Sequence, residues 1–244
     1  MIGRVIWIGL LFALAVVTTM LQLDRQADAT PALAPFVPAP MRGYAQPPVT
    51  LAATEGADSA AALEEARRLV RRRPIPAEHL TLLALAQTKA GMPEQAGLTI
   101  QIAAQRGWRE PVAQEAVLRL ALAAGDEPEA ARRYAALFLR AATPDTLLQE
   151  VGPAVLTRTD GPGQRTLVDI ISGTDRWHDT LLRRGVQVMP PAAFADITLA
   201  AIERGARFDC GILRQSVKGL QRQDAATAQR LVAGSRKLCP DLAG

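Results

Sequence analysis

Between Ala77 and Ala142 apolar and small side chains recur at the three- and four-residue steps of amphipathic helices. Leu80, Leu83, Ala84 and Gln87 occupy i, i+3, i+4 and i+7 of one predicted helix. Gly91 ends it, and Met92-Pro93 open the next, proline being suited to a first helical turn. Ala96, Ile100 and Ala103 form the stripe of that second helix. The pattern then repeats. Gln114, Val117, Leu118 and Ala121 mark a helix, Gly125-Asp126 a turn, and Ala130, Tyr134 and Leu137 a second stripe. No stretch shows sustained strand-like alternation, so the chain is expected to be all-α.

The two halves of this pattern are 34 residues apart. Ala90-Gly91 pairs with Ala124-Gly125, Ala96 with Ala130, and Ile100 with Tyr134. This is the period of a helix–turn–helix repeat that stacks into a solenoid. Ala84 and Ala96 fall where two helices of a hairpin cross. Larger side chains there would hold the axes apart, at roughly 1–3 kcal/mol. Upstream, Ala62, Ala66, Leu69 and Pro74 look like the second helix of a preceding unit, Ala62 lying 34 residues before Ala96.

Over residues 58–142 the pattern resembles the tetratricopeptide repeat family. Ala84, Gly91, Ala96, Ile100 and Ala103 stand at that family's small-residue, turn and large-apolar positions. Leu80 stands where tryptophan is common, and Leu118 where a small residue is expected. The resemblance implies a right-handed superhelix whose concave groove is lined by the first helix of each unit. The groove-facing positions it implies are Glu78, Thr81, Leu85, Thr88 and Lys89 in one unit. In the next they are Val112, Glu115, Arg119, Leu122 and Ala123. The set lacks the Lys/Asn cluster with which some members clamp a C-terminal carboxylate, so extended or helical segments of a protein partner fit better.

Before the repeats, Val5–Leu23 is a long apolar run behind Arg4, close to the ~20 apolar residues that span a bilayer. A transmembrane anchor over residues 1–26, with the rest of the chain exported, is the preferred expectation. The location it predicts is the inner membrane, with the C-terminal part in the periplasm. The alternative is a cleaved signal peptide, since Ala27-Asp28-Ala29 has the A-x-A form. Residues 27–57 carry prolines at 31, 35, 38, 40, 47 and 48. They read as a semi-rigid extended spacer, not a helix.

After Pro144 the clean period fades. Gly152-Pro153 is expected to interrupt a helix over 145–157, and 160–163 to form a turn. Further helical patterns are read at 164–172, 175–185, 191–204, 209–221 and 225–237. Residues 143–244 are thus expected to be diverged hairpins that continue or cap the solenoid, because exposed ends of a repeat stack need capping. Cys210 begins one of these helices and Cys239 follows the end of the next. If those helices form an antiparallel hairpin with its turn near 222–224, both cysteines reach its open end. A disulfide is then predicted, consistent with export.

The net charge is +4 and the calculated pI 9.6. Arg67, Arg68, Arg71, Arg72 and Arg73 are the densest basic cluster, read as a solvated helix face, or as a contact for anionic lipid heads or an acidic partner. With no base-stacking aromatics or nucleic-acid motif beside it, nucleic-acid binding is not expected. No catalytic, metal or cofactor signature is read. His79 opens a repeat helix and is read as a surface residue rather than a base, and His178 has Trp177 and Asp179 as sequence neighbours, which point elsewhere on a helix. Neither a phosphate-cradling loop nor a nucleophile elbow is present. The expectation is a membrane-anchored extracytoplasmic interaction module, a scaffold or assembly factor of a bacterial envelope, with a protein partner the sequence does not name and no small-molecule substrate. The competing expectation is an exported envelope enzyme of the cell-wall hydrolase kind, with a dispersed site.

Overall fold

The computed structural model describes residues 2–243. Among them there is helix and loop but no strand, so the chain is all-α. It divides into two compact units, one ending at Glu110 and one beginning at Pro111.

The first unit opens with α1 (Ile2–Ala29), followed by 3-10 turns at Pro31–Phe36 and Ala39–Met41. Then come α2 (Gln46–Glu55), α3 (Ser59–Arg72), α4 (Ala77–Lys89) and α5 (Pro93–Arg106). Helix α1 is long and apolar enough to cross a membrane, with a mean hydropathy of 2.2 in its best window, none of which is buried in the protein. A membrane anchor and a signal sequence share that profile. The hydroxyls of Thr18 and Thr19 donate to the carbonyls of Leu14 and Ala15, so neither leaves an unpaired donor on this apolar surface.

The proline-rich segment is not an extended spacer. Its prolines sit in two 3-10 turns and in the first turn of α2. First-turn N–H groups have no partner within a helix, so Pro47 and Pro48 cost α2 nothing there. Ala34, Val37 and Ala45 pack on Ala27 of α1 in a small core that also takes in Leu23 and Val49. Next, the Asp58 side chain caps α3 by accepting from the N–H groups of Ala60 and Ala61. Ala62, Ala66 and Leu69, the stripe read from sequence, are fully buried. Helices α2, α3 and α4 pack on one another, and α4 pairs with α5, with Ala84 and Ala96 both buried.

The second unit contains α6 (Pro111–Ala124), α7 (Glu127–Phe138), α8 (Asp145–Leu156) and α9 (Pro162–Ser172). After a 3-10 turn at Asp175–Trp177 come α10 (His178–Thr180), a π-helical turn (Leu181–Gly185) and α11 (Val186–Val188). It closes with α12 (Pro191–Glu203), α13 (Cys210–Gln223), α14 (Ala225–Ser235) and a 3-10 turn, Pro240–Ala243. Helices α6 and α7 pair, as do α13 and α14. One layer runs α7 on α9, α9 on α12 and α12 on α14; another runs α8 on α11 and α11 on α13. Between them lies one continuous core from Leu118 to Leu242, with Tyr134, Phe138 and Phe194 its largest fully buried side chains.

Two further readings are corrected here. Gly152-Pro153 does not interrupt α8, which runs through Pro153. A Cβ on Gly152 would lie 3.4 Å from the Tyr134 hydroxyl, so the glycine lets α8 approach α7 closely. The pattern read as one helix over 175–185 is broken into 3-10, α and π turns. The π turn carries Arg184. Its guanidinium donates to the carbonyls of Phe138, Arg140 and Thr143 and pairs with Asp145.

Candidate functional site

The repeat turns are the best-defined local geometry. Gly91 and Gly125 have φ of +73° and +71°, a conformation in which a side chain is strained. Both close their helices with the same pair of bonds. Gly91 N–H donates to Thr88 and Met92 N–H to Gln87; Gly125 N–H donates to Leu122 and Asp126 N–H to Ala121. This double closure satisfies carbonyls that the helix end would leave unpaired.

The positions expected to line a groove divide by environment. In the first unit Glu78, Leu85 and Thr88 are exposed on α4, although the Thr88 hydroxyl is bonded back to the Ala84 carbonyl. Thr81 corrects the expectation, since it is buried and its hydroxyl turns back to the Ala77 carbonyl. Lys89 is occupied too. Its ammonium donates to the carbonyls of Thr54, at 2.8 Å, and Gly56, where it neutralises the negative end of α2. In the second unit Val112 and Ala123 are exposed, while Leu122 is half-buried against the core. Arg119 bridges Glu115 on its own helix and Glu150 on α8, at 2.9 and 3.0 Å. Its hydrogen bonds to Glu115 and then Glu150 raise its pKa above the ordinary arginine value.

A junction that sequence reading missed joins α1 to the rest of the first unit. The buried Asp24 carboxylate accepts hydrogen bonds from three consecutive main-chain N–H groups: Gly43 at 2.8 Å, Tyr44 at 3.1 Å and Ala45 at 2.9 Å. Helix α1 continues unbroken through Ala27-Asp28-Ala29, and Ala27 is fully buried. The one available signal was an acidic residue directly after the apolar run. Its partners, 19 to 21 residues on, lie in a loop that local pattern cannot locate.

Cys210 and Cys239 are joined in a disulfide, with Cα atoms 5.7 Å apart. The hairpin turn falls at Asp224, between α13 and α14. The bond is consistent with an oxidising, extracytoplasmic compartment.

His178 is buried with both ring nitrogens on main-chain carbonyls. Nδ1 lies 2.9 Å from the Arg207 oxygen and Nε2 3.2 Å from that of Ile171, while the ring packs 4.7 Å from Phe208. Its nearest carboxylate, Asp175, is 3.8 Å away and solvent-exposed. The imidazole thus ties the 207 loop to the end of α9. His79 is not the surface residue expected but is buried and does similar work, its Nδ1 lying 2.8 Å from the Arg73 carbonyl oxygen. Two cavities flank α13: one of 340 Å³ by Arg183, Gln187 and Ser216, one of 440 Å³ by Lys218, Gln229 and Arg236. Neither is lined by a histidine or carboxylate. Among the described residues no group of three or more His, Cys, Asp and Glu is placed to hold a metal ion. Comparison with protein-family models, characterised proteins and solved structures finds no match to this chain.

Proposed function

We propose that this protein is a membrane-anchored, extracytoplasmic interaction module of tetratricopeptide type that serves as a scaffold or assembly factor in a bacterial envelope. The observation that carries the repeat reading is the matched closure at Gly91 and Gly125, with φ within 2° of each other and the equivalent pair of hydrogen bonds one period apart. Layered neighbour-to-neighbour helix packing in the second unit supports it. The anchor is favoured over a cleaved leader by the continuity of α1 through the A-x-A site. Cleavage there would remove Asp24 and expose three N–H groups that it satisfies. The disulfide supports an extracytoplasmic position for the second unit.

The surfaces offered to a protein partner are the exposed faces of α4 and α6, carrying Glu78 and Leu85 on one and Val112 on the other. Arg119 supplies a charge already shared between two carboxylates, so it orders the surface more than it seeks a new partner. Photo-crosslinking residues placed at Leu85 and Val112 in living cells test this. The expected result is a discrete crosslinked protein at both positions, with none from exposed Arg132 on α7. No discrete adduct at either position would overturn the reading.

A further inference from the structure

We propose that one end of the first unit rests on the anionic phospholipid headgroups of the membrane that holds α1. The inference builds on the anchor reading and concerns a surface that reading leaves unassigned. Asp24 directly follows the apolar run, and a helix rises 1.5 Å per residue. When the run spans the hydrocarbon, Asp24 therefore lies at the headgroup boundary, with everything bonded to it.

A chain of contacts spreads from that point across the whole end of the unit. Asp24 holds the main chain at Gly43–Ala45. Arg72, at the end of α3, donates to the Arg42 carbonyl at 2.7 Å, and the Arg73 guanidinium lies 4.9 Å from the centre of the Tyr44 ring. The His79 ring meets the Arg73 carbonyl, which brings in the start of α4. Arg106, at the end of α5, donates to the Pro74 carbonyl at 2.9 Å. Gly107 lies so close to Ala77 that a Cβ would fall 2.4 Å from that alanine's own. The loops at 42–45, 73–76 and 106–110 therefore share one end with the boundary residue of α1.

Their composition fits a lipid surface. Ile75 is 83% exposed, Trp108 47% and Tyr44 43%, and a bulky apolar or aromatic side chain is costly in water but stable at headgroup depth. Arg42, Arg72, Arg73, Arg106 and Arg109 lie on these loops and the helix ends that meet them, Arg73 against Tyr44 and Arg109 against Trp108, and Arg25 follows Asp24 on α1. The acids of this end are Asp24, whose oxygens are taken by three N–H groups, Glu65, which is paired with Arg68 and bonded by Gln46, and Asp28, Glu78 and Glu110. The opposite end carries Glu55, Asp58 and Glu94 against Lys89, which is itself bonded to two carbonyls. The unit is thus basic and aromatic toward the membrane and acidic away from it. Cations near an anionic surface attract it over about a Debye length.

The test uses full-length protein in nanodiscs of phosphatidylcholine with or without phosphatidylglycerol, the lipids brominated near the headgroup end of the acyl chains. Two single-tryptophan proteins report separately, one keeping Trp7 in α1 and one keeping Trp108, the other tryptophans changed to phenylalanine. Both are expected to be quenched, Trp108 more strongly with phosphatidylglycerol and less at high salt. Each of Arg72→Gln, Arg73→Gln and Arg109→Gln should weaken the anionic-lipid dependence at Trp108 roughly fivefold, leaving Trp7 unchanged. Quenched Trp7 with unquenched Trp108, or Trp108 quenching indifferent to lipid charge, overturns this proposal while the anchor stands. Unquenched Trp7 overturns the anchor reading, and this proposal with it.

Discussion

The Asp24 carboxylate accepts the Ala45 N–H at 2.9 Å across 21 residues of chain, tying an apolar helix to the packed domain that follows it. With the bonds from Gly43 and Tyr44 it satisfies three adjacent donors beside a small core. Asp24→Ala leaves those donors without their acceptor and is expected to destabilise the first unit by about 1–3 kcal/mol. Hydrogen exchange at 43–45 in detergent-solubilised protein measures it. Exchange as slow as in the parent protein would show that the carboxylate holds nothing.

The disulfide makes a second prediction. In the chain-entropy account, closing a loop of 29 residues is worth on the order of 3–4 kcal/mol. Cys239→Ser, or reduction of the native protein, should lower the unfolding midpoint of the second unit by a matching amount. Intact mass under non-reducing conditions should show no free thiol in protein recovered from cells.

Tyr134 is fully buried, and its hydroxyl has no hydrogen-bond partner among the described residues. Burial pushes its phenol well above the ordinary tyrosine range. Tyr134→Phe removes the unpaired group while keeping the ring, and is expected to stabilise the protein by up to about 1 kcal/mol. Gly152→Ala places a methyl 3.4 Å from the same oxygen, so the phenylalanine background should tolerate it better than the parent does. Denaturant midpoints of the four proteins in this cycle test both statements. A clear loss of stability in Tyr134→Phe would mean that the hydroxyl has a partner.

Arg184 connects the π turn to the end of α7 and the start of α8, donating to three carbonyls and to the Asp145 carboxylate at 2.8 Å. Arg184→Met keeps much of the side-chain volume but leaves those acceptors unpaired. A loss of roughly 2–3 kcal/mol is expected, read from chemical denaturation. Arg132→Met, on the exposed face of α7, should stay within about 0.5 kcal/mol of the parent.

Asp224 caps α14 through the Thr227 N–H at 3.0 Å and the Thr227 hydroxyl at 2.7 Å. The main-chain bond, then the side-chain bond, hold its pKa below the ordinary carboxylate value. The cap is therefore at full strength above the ordinary carboxylate pKa and is lost as pH falls through the lower folded value. Asp224→Asn should remove this part of the acid sensitivity while keeping a side-chain oxygen for the cap. Acid titrations of the two proteins followed by circular dichroism decide it.

Where local pattern was strong, the sequence was readable. The stripes Ala62/Ala66/Leu69 and Ala96/Ile100/Ala103 are buried on the helices they predicted. Gly91 and Gly125 end their helices at positive φ, because periodicity and turn chemistry act over a few residues. The failures share the opposite cause. Six prolines suggested an extended spacer, but residues 31–55 fold because Ala27, Ala34, Val37 and Ala45 find one another and Asp24 supplies the missing acceptor. Pro153 suggested a break, but α8 runs through it, with Gly152 set close against Tyr134 of α7. Thr81 and Lys89 were assigned to a groove by helical phase alone. Burial claims the first, and the carbonyl end of α2 the second.

The sequence by itself determined an all-α chain, an apolar leading helix, a 34-residue helix–turn–helix period and a cysteine pair at the open end of a hairpin. Each is written in neighbouring residues or in the spacing between them. Only tertiary structure decided that α1 is built into the first unit, that Arg184 joins three elements, and that arginines and aromatics from separate loops share one end with Asp24. Those relationships rest on hydrogen bonds and contacts between residues about 20 to 45 positions apart, whose partners are chosen by packing and desolvation rather than by local pattern.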